Sequence, residues 1–306
     1  MFELVFLGTS ASRPTAERGL PALMVLHGGE RFLIDCGEGT QRQLVRAGLG
    51  LRRLSRILLT HAHLDHVLGL AGLVAALGET PARETLAIHG SAPTLVVAKR
   101  LIDAILPETD ETVELRYEAI EAGRAIPCES LRVLPVPVNH RGGGSFGFLF
   151  EEPAHRRFDD AKARALGIPP GEERHRLQTG KTVRLADGRT VAPDQVLGPA
   201  EPGVRLLVIG DSAEIESLVP HAEGVDGLVI EATFLDRERD KAREYGHITA
   251  TEAATLAREA RAGALVLTHV SARYHGREIL AEARTIFPDA VLADDLARFK
   301  IQKSGA

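Results

Sequence analysis

The chain has 306 residues, of which 44% are apolar and 26% are charged, proportions typical of a globular protein. It contains no run of eighteen apolar residues, which argues against a membrane-spanning helix, and its two cysteines cannot form a disulfide framework. The net charge of −5 does not indicate a nucleic-acid-binding protein, although a local basic surface would suffice for RNA.

The N-terminal half predicts alternating strands and helices. Period-two or wholly apolar runs predict strands over residues 3–7, 22–27, 31–35, 57–60, 86–89, 113–117, 131–138 and 146–150. Helices are predicted over residues 40–47, 67–77 and 92–106, with Gly48 ending the first and Ser91 capping the third. No basic segment precedes an apolar one at the start of the chain, so we predict a cytoplasmic protein without a secretory signal.

Residues 151–202 differ from the rest because they are charged and rich in Pro and Gly, with one short predicted helix over residues 159–166. We predict a single domain over residues 1–306, with 151–202 an arm leaving the main body. Between Arg174 and Arg189 the arm carries five basic residues against Asp187, a net charge of +4 that indicates a basic surface. Strands are predicted after the arm over residues 204–209, 227–231 and 264–268, and helices over 249–261 and 276–287.

The most informative segment is His61-Ala62-His63-Leu64-Asp65-His66, which follows an apolar strand. Three imidazoles and a carboxylate so close together suit zinc or a similar transition metal. Because side chains alternate along an extended backbone, His61 and His63 are expected to point the same way. Asp65 and His66 are expected at a turn, facing a second ion.

Three further candidate ligands each follow a predicted buried strand. They are His140, Asp211 and His269. Strands that deliver polar residues at their carboxyl ends are the usual architecture of an α/β active site. Each residue alone is more often a cap or turn residue than a metal ligand. The three together with the cluster from His61 to His66 indicate a metal centre.

The motifs along nearly the whole chain resemble those of ribonuclease Z, a family of the metallo-β-lactamase superfamily that trims the 3′ trailer from precursor tRNA. The matching segments are Phe6-Leu7-Gly8-Thr9, Asp35-Cys36-Gly37-Glu38-Gly39-Thr40-Gln41, the cluster from His61 to His66, Gly210-Asp211-Ser212, Glu231-Ala232-Thr233-Phe234, Gly246-His247-Ile248-Thr249 and His269-Val270-Ser271-Ala272-Arg273-Tyr274. The cluster marks the superfamily, whereas the segments beginning at Asp35, Glu231 and His269 are specific to the branch. The chain departs from the family pattern at four positions, Gly19, Leu64, Glu172 and Ile230, which bears on substrate contacts and arm geometry.

The resemblance implies an αββα sandwich with two zinc ions, or manganese, at one edge. One ion would be held by His61, His63 and His140, the other by Asp65, His66 and His269, with Asp211 bridging them. A metal-activated hydroxide would then attack a phosphodiester.

Further roles follow from the resemblance and from general chemistry. His247 would protonate the leaving oxygen, oriented by Glu231, and Asp65 would also accept a proton from the attacking water. Arg273 would hold a phosphate, and Asp35 would brace the cluster loop by hydrogen bonds.

The implied partner is precursor tRNA, gripped by the arm through Arg174, Arg176 and Lys181, and the family's arrangement implies a homodimer. A hydrolase of the same fold acting on small phosphodiesters or other esters is the main alternative, favoured by the four departures. A redox di-iron protein is disfavoured by His63, where those proteins carry Glu. A non-catalytic RNA-binding module is disfavoured because every expected ligand is present.

Overall fold

The computed structural model describes residues 1–79, 84–106 and 113–303. Two compact units make up the chain: a main unit, Met1–Glu151 with Val204–Ala306, and an insertion unit, Glu152–Gly203. The strands of the main unit are β1 (Phe2–Gly8), β2 (Ala22–His27), β3 (Glu30–Ile34), β4 (Arg56–Leu58), β5 (Glu84–Gly90), β6 (Val113–Ala119), β7 (Arg132–Val138), β8 (Ser145–Glu151), β13 (Arg205–Val208), β14 (Gly227–Glu231), β15 (Leu265–Thr268), β16 (Val291–Leu292) and β17 (Arg298–Ile301). Its helices are α1 (Thr40–Arg46), α2 (Leu64–Val67), α3 (Leu70–Gly78), α4 (Ala92–Asp103), α7 (Val219–Ala222), α8 (Arg239–Tyr245), α9 (Ala250–Glu259) and α10 (Gly276–Arg284). The insertion unit contains β9 (His155–Phe158), α5 (Asp160–Ala165), α6 (Glu172–Gln178), β10 (Val183–Arg184), β11 (Thr190–Val191) and β12 (Leu197–Glu201).

Two mixed sheets form the main unit. Among the described residues, one sheet has seven strands in the order β17-β1-β2-β3-β4-β5-β6, and the other has six in the order β16-β15-β14-β13-β8-β7. In the second sheet β13, β14 and β15 are parallel, and β7 runs in the same direction because it is antiparallel to β8, which is antiparallel to β13. The carboxyl ends of β7, β13, β14 and β15 therefore lie at the same end of the sheet.

The core between the sheets combines five buried phenylalanines with aliphatic side chains. Phe150 of the second sheet packs edge-on against Phe32 of the first, with ring centroids 5.4 Å apart, and lies 6.1 Å from Phe2. Two further apolar clusters lie on the outer faces, one under α1, α3 and α4 and one under α9 and α10. The αββα sandwich predicted from the resemblance is confirmed.

The helix predicted over residues 67–77 is wrong as a single element, because α2 ends at Val67 and α3 begins at Leu70. Gly69 donates its N–H to the carbonyl of Cys36 at 2.8 Å. A Cβ at Gly69 would lie 2.0 Å from the carbonyl oxygen of Gly37, so only glycine fits there. Asp65 and His66 consequently lie on the short helix α2 rather than in a turn.

The insertion unit has a small core of its own, which includes Ile168, Leu177 and Val196. Its helix α5 agrees with the prediction, but α6 was not predicted. That helix begins after Gly171, which has a φ of 121° and offers no capping side chain, so the sequence lacks the usual start signal. The C-terminal strands β16 and β17 were also not predicted, because each is too short to show an alternating pattern. None of the described helices is long and apolar enough to cross a membrane.

Candidate metal centre and active site

The seven predicted ligands converge at one edge of the sandwich. His61 and His63 follow β4, Asp65 and His66 lie on α2, and the ends of β7, β13 and β15 deliver the remaining three, which are His140, Asp211 and His269. The seven residues form two groups, and within each group all potential ligand atoms lie within 4.8 Å of one another. The first group is His61, His63, His140 and Asp211, and the second is Asp65, His66 and His269. All but His63 and Asp65 are buried.

The Asp211 carboxylate faces both groups, one oxygen toward each. Oδ2 lies 3.6 Å from Nε2 of His61 and 3.8 Å from Nε2 of His140. Oδ1 lies 3.4 Å from Nε2 of His66 and 3.3 Å from Nε2 of His269. A carboxylate in this position can bridge two ions.

The donor set fits a pair of divalent cations. Nε2 of His61, His66 and His269 and Oδ1 of Asp211 are buried without a hydrogen-bond partner among the described residues. Such atoms are costly unless something binds them. Ligands about 2.0–2.1 Å from zinc at tetrahedral corners lie about 3.3–3.4 Å apart, close to the separations around Asp211. Imidazole and carboxylate together suit zinc and other transition metals.

The protonation of the first group favours metal binding. Burial lowers the pKa of His61 well below its usual value, and it also lowers the pKa of His63 and His140. A neutral imidazole keeps the lone pair that a cation needs. Burial raises the pKa of Asp211, but the neighbouring His269 and His66 outweigh this and hold it well below the usual range. Asp211 is therefore a carboxylate.

A second layer of hydrogen bonds orients the imidazoles. Asp35 accepts from Nδ1 of His66 at 2.7 Å and from the N–H of Thr60 at 2.8 Å, as expected for a residue that braces the cluster loop. Asp35 itself has a φ of 56°, a left-handed conformation that Asp adopts more readily than most residues. The Thr60 hydroxyl lies 2.9 Å from Nδ1 of His61 and also donates to Asp35. Each ring is thus held with its other nitrogen toward the centre.

Three contacts in this layer were not predicted from the sequence. The Thr233 hydroxyl lies 2.9 Å from Nδ1 of His269, the carbonyl of Gly246 accepts from Nδ1 of His140 at 2.7 Å, and the N–H of Ser12 donates to Oδ2 of Asp65 at 2.9 Å. Thr233 and Gly246 lie within motifs that the sequence marks, but nothing in the pattern assigns them to a particular histidine.

His247 and Glu231 form a buried pair beside the centre. Nδ1 of His247 lies 3.1 Å from both carboxylate oxygens of Glu231, which ends β14 and is fully buried. Burial lowers the pKa of His247, but the charge of Glu231 and its hydrogen bond outweigh this and raise it to about 9. Glu231 also accepts the N–H of Ser212 at 2.7 Å. The carboxylate fixes the ring so that Nε2 is the nitrogen available for proton transfer.

Arg273 and the cations of the insertion unit differ in their ion pairs and in their exposure. Arg273 is exposed and lies 3.7 Å from Glu238. Within the insertion unit, Arg174 pairs with Asp160 at 2.6 Å and donates to the carbonyl of Ile168, which leaves its side chain 15% exposed. This guanidinium therefore helps to hold the unit's own fold together, and the RNA contact expected of it remains a prediction. Four exposed cations of the unit make no ion pair with a described residue: Arg164, Arg176, Lys181 and Arg184.

Comparison with known proteins agrees with this geometry. The family model of the metallo-beta-lactamase superfamily matches residues 18–151, which gives the class of protein. Ribonuclease Z of Bradyrhizobium diazoefficiens is 49% identical over 96% of this chain and 98% of its own length. The chain belongs to the ribonuclease Z family.

More distant relatives also match almost end to end. Ribonuclease Z of Methanothermobacter thermautotrophicus is 37% identical over 99% of this chain and 97% of its own length. The crystal structure of the short form of human tRNase Z superposes with a TM-score of 0.67 at 26% identity, covering 98% of this chain and 100% of that one. The metallo-beta-lactamase fold protein YhfI of Bacillus subtilis has a TM-score of 0.69 at 18% identity, covering 97% of this chain and 98% of that one, a likeness of fold alone.

Proposed function

We propose that this chain is a metal-dependent endoribonuclease that removes the 3′ trailer from precursor tRNA, cutting on the 3′ side of the discriminator nucleotide. The observation that carries the proposal is the Asp211 carboxylate facing two ligand groups, with the His247–Glu231 pair beside it. Membership of the ribonuclease Z family supports the choice of substrate.

The site is suited to two zinc ions, with manganese as the substitute. His61, His63 and His140 would hold one, Asp65, His66 and His269 the other, and Asp211 would touch both. When bound, such a pair supplies a nucleophilic water at neutral pH and offsets the charge that grows on the phosphate.

The chain's own residues supply the protons and the orientation. His247 donates from Nε2 to the ribose 3′-oxygen as the phosphodiester bond breaks, and Glu231 stabilises the protonated ring before the transfer. Asp65, whose Oδ2 accepts the Ser12 N–H, would accept a proton from the attacking water. Arg273 is a proposed phosphate contact, because its exposed planar fork can bind two phosphate oxygens.

The insertion unit is a proposed tRNA-binding arm. Its exposed cations Arg164, Arg176, Lys181 and Arg184 are available to phosphates, and phosphate contacts supply most sequence-independent affinity for nucleic acid. Arg176 and Lys181 are the contacts expected from the sequence, and Arg164 and Arg184 are proposed beside them. Arg174, also expected from the sequence, is the least exposed of these cations because it pairs with Asp160.

We further propose that the protein is a cytoplasmic homodimer. Leu64 and Leu68 lie one turn apart on the surface and are 60% and 44% exposed. An exposed leucine pair of this kind favours a protein–protein contact, and Leu64 is one of the four departures from the family pattern. Light scattering after gel filtration measures the dimer directly, and changing both leucines to glutamate should give a monomer. Cell fractionation tests the location.

A 3′-extended tRNA transcript tests the activity. We expect a single cut after the discriminator nucleotide with zinc or manganese present, and loss of the cut after chelation. Cleavage of bis(p-nitrophenyl) phosphate without any cut in tRNA would instead identify a hydrolase of small phosphodiesters.

Charge reversal tests the arm. Arg176→Glu with Lys181→Glu should weaken tRNA binding and flatten its salt dependence, since about one counterion is released per phosphate contact. The matched control is Arg258→Glu with Lys300→Glu, an equal change of charge at exposed positions of the main unit. Equal losses in both double variants would show that the arm is not the tRNA-binding surface.

A further inference from the structure

An aromatic surface lies beside the candidate metal centre and has no part in the reaction described above. Tyr245, the last residue of α8, is 44% exposed, and its ring is within 10° of parallel to that of Phe234, with centroids 6.3 Å apart. Phe234 is buried and backs the tyrosine, while Tyr274 packs edge-on against Phe234 at 6.4 Å. The chain has only three tyrosines and no tryptophan, so two tyrosines at one place are a local concentration of flat aromatic surface.

The backbone fixes this surface relative to the centre. Gly246 ends α8 with a φ of 74°, and the N–H of His247 returns to the carbonyl of Ala242 at 2.8 Å, so the chain turns sharply. The carbonyl of Gly246 orients the ligand His140. Three consecutive residues therefore present an aromatic face, a ligand support and the proposed proton donor.

A cavity of about 270 Å³ connects these groups. Its lining includes Tyr245, Phe234 and His247 together with Ser12, Arg13 and Arg273. Ser12 belongs to the support of Asp65, which places the cavity directly against the metal-binding residues.

The charges around the cavity are those expected for a nucleotide. Arg13 is exposed and has no ion-pair partner among the described residues, while Arg273 is 48% exposed and shares Glu238 with Lys241. The Tyr245 hydroxyl has no hydrogen-bond partner in the described ranges, and its ring contacts Phe234. Single-stranded nucleic acid is bound in this way, by bases stacked on aromatic rings with cations along the backbone.

We propose that Tyr245, backed by Phe234, is the stacking surface for the base of the nucleotide whose 3′-oxygen leaves, with Arg13 and Arg273 beside its phosphates. This rests on the proposed function, because His247 lines the cavity and would deliver its proton to that oxygen. In precursor tRNA the occupant is the discriminator base. A purine covers more of the ring than a pyrimidine, so the site prefers a purine there.

Single-turnover cleavage of precursors that differ only at the discriminator position tests the proposal. Tyr245→Phe keeps the ring and should behave as wild type, whereas Tyr245→Ala and Tyr245→Leu should raise the half-saturating RNA concentration roughly 10- to 100-fold. Leucine preserves apolar cover over Phe234 without a flat face, so it separates stacking from folding. Thermal unfolding and metal content of each variant show whether the site remains intact.

Abasic substrates identify the occupant. If the discriminator base stacks on Tyr245, a precursor without that base should raise the half-saturating RNA concentration of the wild type as much as Tyr245→Ala raises it on intact RNA. Combining the abasic precursor with Tyr245→Ala should raise this concentration little further. An abasic site at the first trailer nucleotide should leave the effect of Tyr245→Ala unchanged.

Three results would overturn the proposal while leaving the proposed function standing. The first is normal RNA binding by Tyr245→Leu. The second is an equal loss of binding by Tyr245→Ala on intact RNA and on RNA without the discriminator base. The third is an effect of Tyr245→Ala that disappears when the first trailer base is removed. Failure of the wild type to cut any tRNA precursor would reject the proposed function itself.

Discussion

The substitution Glu231→Gln tests whether His247 supplies the proton that the leaving 3′-oxygen requires. The Glu231 carboxylate is fully buried and holds Nδ1 of His247 at 3.1 Å, and its charge is the largest influence that raises the pKa of that ring to about 9. Glutamine preserves the size of the side chain but removes the charge, so burial is then opposed only by Asp211 and the pKa falls.

The magnitude follows from the fraction of His247 that carries a proton. At pH 7.5 a group with a pKa of 9 is about 97% protonated, and one with the usual pKa of 6.5 is about 9% protonated, a tenfold loss before any loss of orientation. Complete loss of a general acid costs about 10²–10⁴ in rate. We therefore expect tRNA cleavage by the variant to fall between about tenfold and 10⁴-fold. The alkaline limb of its pH–rate profile should move to lower pH, because the raised pKa no longer keeps the acid form at high pH.

Two substrates separate this effect from damage to the site. The p-nitrophenolate that leaves bis(p-nitrophenyl) phosphate needs no proton, whereas the ribose 3′-oxygen does, so the first substrate should lose much less rate than the second. Cations bound at the centre would lower the pKa of His247 in the wild type and in the variant alike, so they would not account for a difference between the two substrates. Glu259→Gln, at an exposed position of α9, is the matched control. Equal losses on both substrates with normal metal content would refute the assignment of His247 and Glu231 to proton transfer.

Three further predictions concern support and stability. Asp35→Asn weakens the contact to His66, so metal affinity measured by chelator competition should fall about 10- to 100-fold; unchanged affinity would contradict a supporting role. Thr249→Ala removes the capping box of α9 and should lower the free energy of unfolding in urea by about 1 kcal/mol, while Thr255→Ala serves as control within the same helix. Metal at about 100 times its dissociation constant should add about 2.7 kcal/mol to that free energy in the wild type and much less in Asp211→Ala; equal stabilisation of both would place the metal elsewhere.

The departures from the family pattern lie outside the metal centre. Ile230 is fully buried within β14, and Leu64 points to solvent from α2. Gly19 donates its N–H to Asp295, and its carbonyl accepts the N–H groups of Thr9 and Ser10, so it braces a loop near the site. None of them displaces a ligand.

The amino-acid sequence by itself predicted a metal centre built from the cluster His61 to His66 with His140, Asp211 and His269. It could do so because the candidate ligands follow buried strands, and the carboxyl ends of parallel strands meet at one end of a sheet. The sandwich and the pairing of His247 with Glu231 were expected from the resemblance of the motifs to those of ribonuclease Z.

Only the tertiary structure decided which neighbours each of these residues has. The sequence indicates an exposed cation at Arg174, whereas in the structure its guanidinium donates to Asp160, fourteen residues earlier in the chain. The helix break at Gly69 depends on the carbonyl of Gly37, which the chain brings close from thirty-two residues earlier. Thr60, Thr233 and the carbonyl of Gly246 support particular imidazoles, and Tyr245 meets Phe234, because packing joins segments that no periodicity relates. Such contacts are set by the shape of the folded chain, so they become visible only when its distant parts are placed in space.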